Sequence, residues 1–144
     1  MLAMTSPETV SFSDTALLRM LSSRNHRPNL LIENRRASFE SVLQQLTEVC
    51  EPPTWVCRFP GILDIRRDFK GTLVLGDIDR MTIGQQITLS DWLGRKDSDV
   101  QVVSVTRASM TELIEEGRFL EGLFFRLNTV TIRAVSLGDY CAAW

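Results

Sequence analysis

The sequence predicts an α/β fold in which a mainly parallel five-stranded sheet lies between two layers of helices. Short apolar runs alternate with longer segments whose apolar residues recur every three or four positions, which is the pattern of strands alternating with amphipathic helices. The short runs are mostly apolar, as expected for strands that are covered on both faces. At 144 residues, the chain has the size of one domain with a sizeable core.

Five segments are predicted to be strands because they are short, apolar and bounded by turn residues or prolines. Their ranges are 30–32, 54–57, 72–75, 100–105 and 130–132.

Helices are predicted where the apolar spacing changes to three and four residues. The first covers 14–23, so residues 1–13 are interpreted as an N-terminal tail and 14–144 as the domain. Further helices are predicted over 37–50, after Thr82, after Ser109 and around 120–127. In the helix after Thr82, the residues expected to face inward are Ile83, Ile87 and either Trp92 or Leu93. Gly94 is expected to end this helix.

The charge balance excludes some classes of function. The 16 basic and 18 acidic residues give a formal charge of −2, which argues against a general nucleic-acid or membrane-surface binder. No apolar run approaches the length of about 20 residues that spans a bilayer, and the N-terminus lacks the order of a secretion signal. We therefore expect a cytoplasmic protein.

Three cysteines, Cys50, Cys57 and Cys141, are spread along the chain without a tight pairing motif. A zinc site would need all three to converge with the single histidine, His26, from scattered positions. We interpret the cysteines as reduced, buried hydrophobic residues, and no metal site is expected.

The segment 71–79 reads GTLVLGDID and is the most informative stretch of the chain. P-loop NTPases use a buried strand that ends in two acids to place an Asp on Mg²⁺ and a second acid near the attacking water. In this chain the first acidic position is Gly76 and the second is Asp77. A further segment, 116–128, reads EGRFLEGLFFRLN.

Together these segments resemble the AAA+ domain of sigma-54-dependent transcriptional activators of the response-regulator type. The corresponding family motifs are GTLFLDEI and EGRFREDLYYRLN, and residues 99–107, DVQVVSVTR, are similar to the family's DVRIIAATN. The resemblance implies a P-loop NTPase-like core with the spatial strand order 5-1-4-3-2. It also implies ATP and Mg²⁺ as the ligands of intact relatives.

The phosphate-binding motif of the family, GxxxxGK[ST], aligns with residues 34–41, which read NRRASFES. Every glycine is missing, although glycines let bare backbone amides close around phosphate. Phe39 stands at the last glycine and Glu40 at the lysine, while Ser41 matches and is interpreted as a helix-capping residue. The vestigial nucleotide-binding positions are Asn34, Arg35, Arg36, Glu40 and Ser41.

The catalytic positions that the resemblance assigns have also changed. Gly76 stands at the metal-binding Asp, Asp77 at the catalytic Glu, and Arg107 at the Asn that senses the γ-phosphate. Of the two arginines that the family offers to a neighbouring subunit, the first is Leu120 and the second is retained as Arg126. Arg126 is interpreted either as a residual finger or as part of a structural salt bridge. The vestigial catalytic residues are thus Asp77, Arg107 and Arg126.

Two family elements have no counterpart in the sequence. Only 29 residues separate Ser41 from Gly71, too few for the insertion that carries the GAFTGA loop, which argues against direct contact with the sigma factor. The sequence ends at Trp144, so no lid subdomain is expected between Asn128 and that residue, and the chain is interpreted either as a fragment of a longer regulator or as a reduced relative.

We therefore predict a degenerate AAA+ module of a transcription regulator that uses protein contacts rather than ATP hydrolysis. Its expected partners are proteins, including other domains of the same regulator, and it is expected to be a monomer or weak dimer that does not itself bind DNA. No cofactor is expected. One alternative is an ATP- and Mg²⁺-dependent regulator with a rearranged site, provided by Arg35 or Arg36, Asp77, Asp79 and Arg126. The other is a nucleic-acid-binding module that uses the basic segment 24–36.

Overall fold

The computed structural model describes residues 28–35, 37–95 and 100–134, in which five strands alternate with four α-helices. The elements are β1 (Leu30–Asn34), α1 (Phe39–Val49), β2 (Thr54–Arg58), β3 (Thr72–Gly76), a short 3-10 helix (Ile78–Arg80), α2 (Ile83–Arg95), β4 (Gln101–Thr106), α3 (Met110–Glu115), α4 (Glu121–Leu127) and β5 (Val130–Ala134).

The five strands form one parallel sheet with the spatial order β2-β3-β4-β1-β5. This is the order 5-1-4-3-2 that the family resemblance implied, so the predicted α/β class and topology are both confirmed. Parallel pairing places the carboxyl ends of all five strands at the same edge of the sheet. In open α/β sheets, ligands bind outside this edge.

The core has two parts because successive strand residues point to opposite faces of the sheet. On one face, Leu30, Ile32 and Val103 pack against α1. On the other face, Leu31, Leu73 and further buried side chains pack against α2, α3 and α4. Every residue of β3 and β4 is buried, as expected for central strands of a parallel sheet that is covered on both faces.

Helix α1 begins where the sequence supplies an N-cap. Ser38 has an extended backbone, and its side chain accepts a hydrogen bond from the Ser41 amide at 3.1 Å. Phe39, Val42 and Leu46 then recur at three and four residues and are buried, as predicted. The prediction that Ser41 itself is the cap is wrong, because Ser38 provides the cap and Ser41 lies in the first turn.

The buried face of helix α2 differs in part from the prediction. Thr82 Oγ1 does accept the Gln85 amide at 3.1 Å, as expected of a cap. However, Ile83 and Ile87 are 42% and 56% exposed, whereas Gln86 is 1% exposed. Trp92 is buried as expected.

Gln86 is buried because the neighbouring backbone satisfies all of its amide group. Its Nε2 donates to the carbonyls of Met81 and Arg118, and its Oε1 accepts the Leu120 amide at 2.9 Å. A buried polar side chain with satisfied partners is stable, and here it ties the loop before α4 to α2.

Several sequence predictions lie outside the described residues, namely the tail at 1–13, the helix at 14–23, Arg36, and Cys141 with His26. Cys50 and Cys57 are buried, as predicted, and burial raises the pKa of the Cys57 thiol. Within the ranges that the structure describes, no helix is long and apolar enough to cross a membrane.

Candidate functional site

The candidate site lies at the carboxyl edge of the sheet, where the loops after β1 and β3 meet. Asn34 ends β1, and Gly76 followed by Asp77 ends β3. Arg58 ends the neighbouring strand β2 and is in register with Gly76. The fold thus brings the predicted phosphate loop and the predicted metal strand to the same edge.

The loop between β1 and α1 is closed by its own hydrogen bonds. Asn34 is buried, and its side chain both accepts from the Ala37 amide at 3.1 Å and donates to the Ala37 carbonyl at 2.8 Å. The Ser41 amide, in the first turn of α1, donates to Ser38 Oγ. A phosphate cradle needs such amides to point at the ligand. The Ala37 and Ser41 amides are instead directed at side chains of the protein.

Phe39 fills the space beside Gly76. The Phe39 ring is buried, and a Cβ atom built on Gly76 would lie 2.5 Å from its Cε1. This distance is far shorter than any normal carbon contact. The aromatic ring at the last glycine position and the glycine at the metal-acid position are therefore sterically complementary.

Arg58 joins the two sides of the site. Its Nη1 donates to Glu40 Oε2 at 2.5 Å, and its Nε donates to Asp77 Oδ2 at 3.0 Å. Its guanidinium also lies over the Phe39 ring, 4.8 Å from the ring centroid, which is a cation–π arrangement. One side chain thus contacts Phe39, Glu40 and Asp77 together.

The electrostatics of this cluster favour the charged forms. Hydrogen bonding to its own backbone amide, followed by the contact with Arg58, lowers the pKa of the exposed Glu40 carboxyl. The hydrogen bonds to Asp77 and then to Glu40 raise the pKa of the Arg58 guanidinium. The cluster is therefore a set of ion pairs at neutral pH.

Asp77 is the buried member of the cluster and has an uncommon backbone. Its side chain is only 9% exposed, and its φ and ψ of 54° and 50° lie in the left-handed region. Non-glycine residues seldom adopt this conformation, although Asp tolerates it better than most. Oδ1 is buried without a hydrogen-bond partner in the described part of the chain, so Arg58 is the cation that compensates this carboxylate.

The other predicted site residues do not join this cluster. Arg35 and Arg107 are exposed and form no ion pair among residues 28–35, 37–95 and 100–134. Asp79 lies beside β4, where Thr106 Oγ1 donates to its Oδ1 at 3.4 Å. Those same ranges contain no group of three or more His, Cys, Asp or Glu residues that could hold a metal ion.

Arg126 lies away from the carboxyl edge. Its Nη1 donates to the Ser90 carbonyl at 3.3 Å, and its guanidinium passes over Gly94 near the end of α2. Its own carbonyl accepts from Asn29, at the amino end of β1. A backbone carbonyl is therefore one partner of the Arg126 guanidinium, and the interpretation as a residual finger or a structural salt bridge stays a prediction. Arg126 lines an open groove of about 480 Å³ together with Ile87, Ser90, Asp91, Gly94, Arg95 and Leu120.

Comparison with known proteins assigns the family. The model of the Sigma-54 interaction domain matches residues 24–137. The chain belongs to this family. It is 37% identical over 78 residues, 46% of its length, to the probable regulatory protein HrpR of Pseudomonas syringae pv. syringae, and 24% identical over 131 residues, 84% of its length, to an NtrX-like putative response regulator of Rickettsia typhi. It spans only 25% and 27% of these two relatives.

Solved structures agree with the fold of this Sigma-54 interaction domain. NtrX from Brucella abortus in complex with ATP superposes with a TM-score of 0.67 at 16% identity, over 96% of this chain and 40% of NtrX. The P-loop NTPase domain of a sigma-54 activator from E. coli gives a TM-score of 0.56 at 13% identity, over 87% of this chain and 94% of that one. At these identities the likeness establishes the fold alone.

Sequence reasoning missed Arg58 as a residue of the site. Its contacts with Glu40 and Asp77 cross 18 and 19 residues of chain, and no family motif covers position 58. A signal was nevertheless present, because parallel pairing of β2 with β3 puts Arg58 beside Gly76. The position of an arginine at the end of the strand next to β3 could therefore have indicated that it belongs to the site.

Proposed function

We propose that this domain is a transcription-regulator module of the cytoplasm that has lost nucleotide binding and acts through protein contacts. The observation that carries the proposal is the occupation of the phosphate site by the chain's own side chains. Phe39 fills the space beside Gly76, and Arg58 forms ion pairs with Glu40 and Asp77. ATP and Mg²⁺ do not fit this donor set, and we derive no catalytic step through them.

The magnitude of the electrostatic change supports the same proposal. A unit charge about 4 Å from a phosphate charge contributes on the order of 4 kcal/mol at an effective dielectric near 20. A glutamate at position 40, where the family has an attractive lysine, therefore reduces the binding free energy by several kcal/mol. The whole binding free energy at micromolar affinity is only about 8 kcal/mol. The closed Asn34 loop removes backbone donors in addition.

Isothermal titration calorimetry of the wild type with ATP or ADP and Mg²⁺ tests the proposal. We expect no saturable binding of about 10 μM or tighter. Glu40→Lys alone should not restore it, because Phe39, the closed loop and Gly76 remain. Binding by the unmodified chain would refute the proposal and favour the ATP-dependent alternative.

We further expect the domain to be a monomer or weak dimer with or without ATP. The family resemblance implies that neighbouring subunits are joined around nucleotide by two arginines, and Leu120 replaces the first of them. The second, Arg126, is engaged with the Ser90 carbonyl. Light scattering at micromolar protein concentration should show small species in both conditions. A hexamer or heptamer that appears only with ATP would contradict this expectation.

A further inference from the structure

Arg58 connects three segments that are far apart in the sequence. Glu40 lies in the first turn of α1, Arg58 at the end of β2, and Asp77 directly after β3. Nothing else in the described residues forms ion pairs on both sides of this edge. The start of α1 is thus held beside the turn after β3 by one guanidinium.

The two ion pairs differ in what they contribute. The carboxylate of Glu40 is 70% exposed, so water solvates it well whether or not Arg58 is present. The Asp77 carboxylate is 9% exposed, and its Oδ1 has no partner in the described part of the chain. Loss of Arg58 would leave a buried charge without a cation, which is far more costly than the loss of an exposed pair.

We propose that the two ion pairs of Arg58 hold the start of α1 against the turn after β3 in one arrangement without any ligand. This proposal rests on the proposed function, in which no nucleotide lies between these two segments. The Arg58 guanidinium compensates the buried carboxylate of Asp77 and keeps that residue in its left-handed conformation. The adjacent loops then have a fixed shape that a protein partner can recognise.

The test is hydrogen exchange and thermal unfolding of the full chain with Arg58→Met. We expect exchange to accelerate about tenfold at the Ala37, Ser41, Arg80 and Met81 amides, which lie in the two joined segments. Exchange at Val103, in the centre of the sheet, should change less than about twofold. The melting temperature should fall by about 4–8 °C.

Arg118→Met is the matched control. Arg118 also forms one ion pair, with Glu116 at 3.3 Å, but both partners are exposed and belong to one loop. Its replacement should shift the melting temperature by less than about 2 °C and leave both segments unchanged. If Arg58→Met fails to fold, Arg58→Lys tests the same idea. Lysine lacks the planar fork whose Nε and Nη1 contact separate acids, so it should accelerate the same amides by a smaller factor.

A double variant tests whether the buried carboxylate of Asp77 is the group that requires the positive charge of Arg58. Asp77→Gly removes the buried carboxylate and suits the positive φ, so Arg58→Met with Asp77→Gly should melt higher than Arg58→Met alone. Unchanged exchange in Arg58→Met, an equal rise at Val103, or a double variant below the single one would each overturn the proposal. Nucleotide binding by the wild type refutes the proposed function instead, and calorimetry measures it separately from exchange.

Discussion

Gly76→Asp, which restores the acid that the family places at this position, is expected to lower the free energy of unfolding by about 3–5 kcal/mol. The new Cβ would lie 2.5 Å from the Phe39 ring, which is buried and covered by Arg58. The new carboxylate would also be next to the buried Asp77, so two like charges would share one cation. Urea denaturation followed by circular dichroism measures the change.

Two companion variants separate these causes. Gly76→Ala carries the same Cβ without the charge, so it should reproduce only the steric part, about 1–3 kcal/mol. Phe39→Ala combined with Gly76→Asp removes the ring that the acid meets. The double variant should therefore lose at least about 1 kcal/mol less than the sum of its single variants. Additive losses would show that Phe39 and Gly76 are not sterically coupled.

Gly71→Ala is expected to be as damaging, for a reason of backbone geometry. Gly71 has φ +89°, and its added Cβ would lie 2.2 Å from the Pro53 carbonyl oxygen. That oxygen accepts the Thr72 amide at 3.0 Å, the bond that starts the pairing of β2 with β3. We expect a loss of about 3–5 kcal/mol, a large part of the stability of an ordinary domain.

Gly122→Ala is the control for this experiment. Gly122 lies inside α4, and an added Cβ would meet nothing within 4 Å. Replacement by alanine should therefore stabilise the domain by about 0.5–1 kcal/mol, because alanine loses less backbone entropy on folding. Denaturant titrations of both variants under the same conditions give the comparison. A Gly71→Ala variant as stable as the wild type would refute the close approach to Pro53.

These expectations have a consequence for the function of the site. If Phe39 and Gly76 are coupled as the geometry indicates, an acid at position 76 is accommodated only together with a smaller residue at position 39. Repair of Glu40 would still leave Arg58 without one of its partners. Under the proposed function, recovery of nucleotide binding would thus require several simultaneous changes.

The fold could be predicted in large part from the sequence, because its main determinants are local. Apolar runs bounded by prolines and glycines gave the five strands, and the spacing of Phe39, Val42 and Leu46 gave α1. Helix α2 was predicted at the right place but with Ile83 and Ile87 inward. The inward face was predicted from the spacing of apolar residues, and this method does not consider a polar residue such as Gln86. The burial of Gln86 depends on backbone partners from two other segments.

The sequence, through its resemblance to short family motifs, assigned residues to the phosphate and metal positions. Only the tertiary structure decided what these residues do. Ser38 rather than Ser41 caps α1, Phe39 occupies the space that Gly76 leaves, and Arg58 pairs with two distant acids. Such contacts depend on strand register and on the direction of side chains across many residues of chain, which a linear pattern does not contain.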